Sequence, residues 1–313
     1  MDEGQGPVPL LDADLAEFLR RRALEISAID MSDLPVDEAR QLYAERTAYG
    51  QPRERPPCLV EDVRPAGSPA ARIYRPPIGG GTETILYAHG GGWIVGNLDT
   101  HDRMIRALCA STRATVVAID YRLAPESRFP AQVADCLAAF RWLCHSENVL
   151  GVNSDAITIA GDSAGACLAL AAAQTLAKRG GETPAGLILL YGCYAPSFST
   201  ESHNAYGDGR FGLSTLAVRR FWEYYAGNEP PCQAIPLHGE FRGLPPTYLG
   251  AAALDPLRDD TFRLVEHLAG AGVPHHLDVW TGCPHAFLQL PADIPAVARA
   301  FDDIAAGWSR LRA

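Results

Sequence analysis

Apolar positions recur at helical spacing in the first fifty residues. The first predicted helix, residues 12–30, carries apolar side chains at helix-like spacing: Leu15, Phe18, Leu19 and Ile26. A second helix is predicted from Pro35 to Tyr49. Three prolines within residues 51–57 then indicate a connector into a region of different character.

After this connector, short apolar runs alternate with segments of helical period. The predicted strands are residues 58–64, 72–75, 84–88, 115–120, 156–160, 186–191, 247–254 and 276–280. The predicted helices among them are residues 102–111, 131–144, 164–178, 260–269 and 294–311. This alternation predicts an α/β fold in which a mostly parallel central sheet is covered by helices on both faces.

One stretch, residues 195–231, is too long for a plain connection between a strand and a helix. It contains its own predicted helix, residues 213–226, with the aromatic side chains Phe221, Trp222, Tyr224 and Tyr225. Long inserts of this kind are often lids. In the alternative interpretation, these aromatic side chains only pack the helix onto the body of the protein.

Composition excludes several classes of protein. Of 313 residues, 47% are apolar, which is enough to fill a large core and excludes a disordered or fibrous chain. Lys plus Arg minus Asp plus Glu gives 27 − 37 = −10, and no long basic run is present. We therefore expect no nucleic-acid partner.

The cysteines and the apolar segments bear on the compartment. Eight cysteines are scattered without a Cys-x-x-Cys pair or a spacing that suggests zinc or a disulfide framework. The N-terminus lacks the features of a secretory signal, and the longest apolar stretch, Ala164 to Ala173, is too short to span a bilayer. We expect a soluble cytoplasmic protein that does not insert into membranes.

A candidate nucleophile lies between an apolar strand and an alanine-rich helix. The segment Gly161-Asp162-Ser163-Ala164-Gly165 has the Gly-x-Ser-x-Gly pattern of a nucleophile elbow, a strained turn that exposes the serine hydroxyl above a sheet. The pattern is weak alone, so its context between a strand and a helix carries the prediction. For Asp162 we favour a role in capping the following helix.

A glycine run, His89-Gly90-Gly91-Gly92, follows the predicted strand 84–88. Consecutive glycines in such a place let backbone N–H groups turn toward a developing oxyanion. A flexible turn is the alternative for the glycines alone. Their position about seventy residues before the elbow favours the oxyanion interpretation.

A serine nucleophile needs a base and an acid, which follow it in the order acid, then histidine, in this architecture. Of the later histidines, His203 and His238 lie in or beside the insert, His267 lies within a predicted helix, and His275 and His276 begin a strand. His285 follows the last strand, on the predicted loop 281–287, and is therefore the predicted base. The pair His275-His276 has no third ligand at a usable spacing, so we expect no metal.

The predicted acid is Asp255, which directly follows the strand 247–254. Asp259 is the alternative, although Asp259 and Asp260 suit the first turn of the next helix.

These residues belong to a set of motifs that resembles the hormone-sensitive-lipase-like bacterial esterases of the α/β-hydrolase fold. The motifs are His89–Trp93, Gly96–Asp102, Asp120–Glu126, Phe129–Pro130, Gly161–Gly165, Asp255–Asp259 and His285–Phe287. The chain departs from the family at Ala166 and Cys167, where a glycine and an asparagine are usual, and at Ala286, where a glycine is common.

The resemblance implies roles for individual residues. Ser163 would be the nucleophile, with Asp255 and His285 as its partners, and the N–H groups of Gly91, Gly92 and Ala164 would form the oxyanion hole. It also implies an N-terminal helical cap segment, residues 1–50, and an α/β-hydrolase catalytic domain, residues 51–313, with a cap insert at about 195–231. Relatives often form homodimers through the last strand and helix, so a homodimer is a further expectation.

We therefore predict a serine carboxylesterase that hydrolyses small esters with short to medium acyl chains through an acyl-enzyme, without a cofactor. A lactone hydrolase, or a deacetylase, acyltransferase or lyase of specialised metabolism, is the alternative. A binding protein on the same scaffold would require a broken triad, whereas all three residues are present.

Overall fold

The computed structural model describes residues 10–26, 29–77, 79–81, 83–145 and 156–312. Eight strands form one sheet: β1 (Leu59–Val63), β2 (Ala71–Arg75), β3 (Thr84–Ala88), β4 (Thr115–Ile119), β5 (Ile157–Asp162), β6 (Gly186–Leu190), β7 (Thr247–Leu254) and β8 (His275–Pro284). The helices are α1 (Ala13–Glu25), α2 (Val36–Ala48), α3 (Asp102–Thr112), α4 (Ala131–Cys144), α5 (Ala164–Arg179), α6 (Glu201–Tyr206), α7 (Thr215–Ala226), α8 (Arg258–Gly270) and α9 (Pro295–Arg312).

The strands lie in the order β1-β2-β4-β3-β5-β6-β7-β8. Strand β2 runs antiparallel to both β1 and β4, whereas every pair from β4 to β8 is parallel. Strands β3, β5 and β6 are buried along their whole length, as expected for parallel strands covered on both faces. Because the strands from β3 to β8 are parallel, their carboxyl ends meet at one edge of the sheet.

Two apolar clusters cover the two faces. Helices α4, α5 and α8 contribute buried side chains to one cluster, and α3 and α9 contribute to the other, together with Leu15 of α1. The prediction of an α/β fold with helices on both faces of a mostly parallel sheet is confirmed.

Several element bounds differ from the predicted ones. The predicted strand 276–280 continues to Pro284 as β8, so most of the predicted loop 281–287 is strand. The short helix α6 within the insert was not predicted. In the predicted N-terminal segment, residues 1–9 and 27–28 lie outside the described residues.

The N-terminal helices and the insert lie against each other. Asp12 accepts hydrogen bonds from the first turn of α1, and its own N–H donates to Gly282 of β8 over 3.0 Å. Asp30, which precedes α2, accepts a hydrogen bond from the hydroxyl of Ser214, the residue that caps α7. Two segments almost 200 residues apart are thereby joined.

Candidate active site

Ser163 occupies the single residue between β5 and α5. Its backbone has φ 53° and ψ −119°, in a region that residues with side chains rarely adopt. The flanking glycines are needed for space, because a Cβ on Gly165 would collide with the Ala88 carbonyl and one on Gly161 with the backbone of Gly165. The sequence thus forms the sharp turn that the Gly-x-Ser-x-Gly pattern predicts.

Ser163, His285 and Asp255 form a hydrogen-bonded chain at the carboxyl edge of the sheet. The His285 Nε2 lies 2.9 Å from the Ser163 Oγ, and its Nδ1 lies 2.7 Å from Oδ2 of Asp255. The other carboxylate oxygen of Asp255 accepts the Leu257 N–H over 2.8 Å. Asp255 is fully buried, so this second bond and His285 fix its orientation. The three residues come from the ends of β5, β8 and β7.

The alternative acid and bases lie elsewhere. Asp259 accepts the Ser202 N–H over 2.8 Å and pairs with Arg258 at 3.0 Å. The His203 ring bonds to the Thr215 hydroxyl. Among the described histidines, only His285 bonds to Ser163.

Gly91 and Gly92 of the glycine run and Ala164 line the same pocket as Ser163. Gly91 has φ 116° and Gly92 has φ 58°, which L side chains rarely adopt. The Gly91 carbonyl accepts hydrogen bonds from the N–H groups of Ile94 and Val95, each at a distance of 3.0 Å, and these bonds close the turn. Within the described residues, the N–H groups of Gly91, Gly92 and Ala164 have no protein acceptor. They are free to bind an oxygen atom of a ligand.

A family described as "alpha/beta hydrolase fold" matches residues 85–289, which is most of the chain. The matched segment runs from the strand before the glycine run to the turn after His285. The chain belongs to the α/β-hydrolase fold family.

Within this fold family, the similar proteins with known names are esterases and related ester hydrolases. The hydrolase is 36% identical to the esterase LipI of Mycobacterium tuberculosis over 75% of this chain and 76% of the relative. It is 32% identical to an ethyl acetate hydrolase of Pseudomonas putida over 90% of this chain and 92% of the relative. A hyperthermophilic esterase from the archaeon Pyrobaculum calidifontis superposes with a TM-score of 0.86 at 28% identity, covering 97% of this chain and 99% of the other. The predicted resemblance to hormone-sensitive-lipase-like esterases is confirmed.

Asp162, next to Ser163, does not cap α5, contrary to the sequence interpretation. Its Oδ1 accepts the Tyr87 hydroxyl at 2.8 Å and the Gly90 N–H at 2.7 Å. Burial acts to raise the pKa of Asp162, but the nearby His101 ring, followed by the hydrogen bonds it accepts, holds that pKa below its usual range. The ionised carboxylate therefore ties the glycine run to the strand that carries Ser163.

A buried amide extends this network to the N-terminal helices. Gln289 donates from Nε2 to Asp162 at 3.2 Å, and its carbonyl oxygen accepts the Tyr43 hydroxyl of α2 at 2.9 Å. Gln289 Nε2 also lies 3.0 Å from Nε2 of the buried His101. No local pattern in the sequence indicates these bonds, because the Tyr43–Gln289 pair is 246 positions apart.

Ser163 and His285 open into a pocket that encloses about 1060 Å³ of space, part of it open to solvent. Helices α1 and α2 form one wall, including Leu19, and the insert forms another, including Leu213 and Phe221. The Phe221 ring occupies the space that a Cβ on Gly92 would need. The insert thus touches the glycine run itself, a contact that the sequence did not indicate.

Ala286 stands where the family commonly has a glycine, and its backbone conformation is unfavourable for a residue with a side chain. Its φ is 58°, in the left-handed region, where a glycine is more easily accommodated. The residue still lines the pocket directly after His285.

The paired histidines have ordinary partners. The His275 Nδ1 lies 2.8 Å from the Val273 carbonyl oxygen, and the His276 Nε2 lies 3.2 Å from Asp278. Among the described residues, no three His, Cys, Asp or Glu side chains form a group that could hold a metal ion. No helix in the described ranges is both long and apolar enough to cross a bilayer.

Proposed function

We propose that this carboxylic ester hydrolase works through an acyl-enzyme on Ser163. The observation that carries the proposal is the chain of hydrogen bonds from the Ser163 hydroxyl through His285 to Asp255, at 2.9 and 2.7 Å. The same three roles recur on unrelated folds because they solve one chemical problem, the weak nucleophilicity of a hydroxyl. Relatives named esterase and ethyl acetate hydrolase support the ester as substrate.

In the acylation step, the Ser163 Oγ attacks the ester carbonyl carbon while His285 Nε2 takes the hydroxyl proton. The C–O bond to the alcohol then breaks, and the imidazolium returns that proton to the leaving alcohol. Water repeats the attack on the acyl-enzyme with His285 again as base, which releases the acid and restores Ser163. Asp255 keeps the imidazole oriented and stabilises its charged form.

The developing oxyanion is proposed to bind the N–H groups of Gly91, Gly92 and Ala164. Ala164 begins α5, so its N–H also lies at the positive end of a helix dipole. The absence of protein acceptors for these three groups within the described residues supports this role. One such donor contributes about 3 kcal/mol to transition-state stabilisation in comparable sites.

The substrate range is proposed to be short to medium acyl chains, limited by a cap. We infer that the cap consists of the N-terminal segment, residues 1–50, and the insert, about residues 195–231. The hydrogen bond between Ser214 and Asp30 joins these two parts, and both line the pocket. Mostly apolar walls suit an acyl chain.

The test is hydrolysis of p-nitrophenyl esters from acetyl to dodecanoyl by the native protein and Ser163→Ala. We expect short and medium chains to be cleaved, turnover to decline toward dodecanoyl, and Ser163→Ala to be inactive although folded. Ser111→Ala, in the last turn of α3 and outside the pocket, is the matched control and should keep the native rate. Release of free acid without an added alcohol separates hydrolysis from acyl transfer. If the Ser163→Ala protein were active, the proposal would be refuted.

We further infer a cytoplasmic location and a homodimer. All eight cysteines are free thiols, which suits a reducing compartment. Strand β8 lies at an edge of the sheet and leaves Val279 exposed, which offers a surface for a second copy. Light scattering over a range of protein concentrations measures the mass, and a monomer at every concentration would refute the dimer.

A further inference from the structure

Two arginine side chains reach the same pocket as the nucleophile. Arg22 comes from α1 and Arg46 from α2, and both line the pocket together with Ser163 and His285. Neither belongs to a motif of the family resemblance. Their positions on the wall formed by the N-terminal helices raise the question of what they bind.

Arg22 lacks a partner that would neutralise it. Its neighbours Arg20 and Arg21 both pair with Glu17, at 3.0 and 2.8 Å, and are more than half exposed. Arg22 is only partly exposed, and within the described residues its guanidinium has no hydrogen-bond or ion-pair partner. A desolvated, unpaired guanidinium is costly, so its retention in a pocket points to a ligand that supplies the missing charge.

The surroundings make this part of the pocket positive. Burial, followed by the positive charge of Arg46, lowers the pKa of Arg22 to about 10, so the group stays charged at neutral pH. Burial also lowers the pKa of Arg46, whereas the nearby Asp30 acts in the opposite direction. Among the described residues that line the pocket, none is Asp or Glu.

The balance of charge indicates what kind of anion fits. Arg46 donates to the Ile29 carbonyl at 2.7 Å and has Asp30 nearby, so its positive charge is partly compensated within the protein. Arg22 leaves about one positive charge unmatched. A single carboxylate supplies one negative charge and has the planar geometry that a guanidinium binds through two hydrogen bonds.

We infer that this pocket selects esters that carry a carboxylate at a distance from the scissile bond, bound by Arg22 with the support of Arg46. The inference rests on the proposed ester hydrolysis at Ser163 and names the substrate class of that site. Arg22 is a specificity residue here and takes no part in bond breaking.

The experiment compares acids with neutral amides of the same size. Monomethyl adipate and methyl 5-carbamoylpentanoate place the charge difference on the acyl side, whereas 4-acetoxybutanoate and 4-acetoxybutanamide place it on the alcohol side. The measured quantity is the ratio of kcat/KM for the acid over its amide. Because the ratio is taken within one preparation, it does not depend on the fraction of protein that is folded.

We expect the native ratio to exceed one for at least one pair, and to fall about tenfold in Arg22→Gln, since a charge-assisted hydrogen bond becomes a neutral one. Arg22→Glu should bring the ratio below one. Arg21→Gln is the matched control, one position away on the same helix but more than half exposed and outside the pocket, and should keep the native ratio. Added salt should reduce the native ratio, because screening weakens the pairing.

The outcomes separate this inference from the proposed function. A native ratio near one for both pairs, or a ratio that Arg22→Gln leaves unchanged, would overturn carboxylate binding by Arg22, while cleavage of the ester bond in the neutral amide compounds would still support the esterase. If no ester of either kind is cleaved by folded native protein, the proposed function itself fails, and this inference fails with it.

Discussion

At Gly92 the backbone conformation and a neighbouring ring both exclude a side chain. The residue has φ 58°, and the Phe221 ring fills the space where a Cβ would lie. Its N–H has no protein acceptor within the described part of the chain. The residue is therefore constrained from two sides just where the proposed oxyanion would bind.

We expect Gly92→Ala to lower kcat/KM about a hundredfold, because the new methyl group pushes the loop away from Phe221 and misaligns an oxyanion donor. The control is Gly243→Ala, which has a similar φ of 82° but nothing within 4 Å of the added Cβ. Steady-state kinetics on p-nitrophenyl butyrate decides between them. Equal rates for the two variants would contradict this prediction, because the methyl group at Gly92 would then leave the proposed oxyanion donor in place.

Short motifs predicted individual residues when chemistry restricts the residue type at a fixed spacing. Ser163, Asp255 and His285 were predicted in this way, because each follows a strand at its carboxyl end, and the structure joins the three by hydrogen bonds. The roles of Asp162, Gln289 and Tyr43 were not found, since their hydrogen bonds join distant parts of the chain. Arg22 gave no signal either, because an arginine on an amphipathic helix usually faces solvent.

The first turn of α8 connects this helix to the start of the insert. Asp260, fully buried there, accepts the N–H groups of Tyr194 and Ala195 at 2.9 and 3.0 Å. Burial raises the pKa of Asp260 to about 7, although these two hydrogen bonds and Arg263 act to lower it. The folded protein therefore retains a proton at a pH where the unfolded chain has lost it.

This difference gives stability a pH dependence with a definite sign. Between the unfolded pKa of about 4 and the folded value, the native state binds more protons, so the free energy of unfolding falls as pH rises, by on the order of 1 kcal/mol per unit. Urea unfolding at several pH values between 5 and 7 should show a steeper fall for the native protein than for Asp260→Asn. Parallel profiles would mean that Asp260 is ionised throughout.

At the scale of elements, hydrophobic pattern predicted nearly every strand and helix of the body. Strands buried on both faces, such as β5 and β6, need long apolar runs that are easy to recognise. Strand β8 was predicted too short, because it lies at the sheet edge and its sequence is more polar. Helix α6 has only six residues, too few to establish a helical period.

At the scale of the whole molecule, one arginine fastens the N-terminal helices to the body. Arg40 of α2 donates to the Ile94 carbonyl at 2.9 Å and to Glu126 at 2.8 Å. Ile94 lies two residues after the glycine run and donates its N–H to the Gly91 carbonyl, so the position of α2 and the conformation of that run are linked. The resemblance implied a cap, but the residues that hold it in place could not be read from the motifs.

We expect Arg40→Ala to increase the rate of proteolysis within residues 1–50 about tenfold. Without the hydrogen bonds of the Arg40 guanidinium, local opening of the N-terminal helices costs less free energy. The body should stay intact, and KM for esters should rise more than kcat falls, since one pocket wall loosens. Arg75→Ala is the control: its pair with Glu61 at 3.1 Å is exposed to a similar degree but lies at the far edge of the sheet. Mass spectrometry of the fragments measures the effect, and equal cleavage in both variants would contradict it.

The side chains at the strand ends and the residues of the pocket walls belong to different parts of the fold, which has a consequence for evolution. The side chains proposed for chemistry follow β5, β7 and β8 and are held by the register of the sheet, whereas two of the pocket walls come from the N-terminal helices and the insert, outside the sheet. Substitutions in those helices at positions that do not contact the glycine run alter which molecules fit without displacing the side chains at the strand ends. Proteins that descend from such a chain can thus diverge in the esters they accept while they keep the same residues at the strand ends.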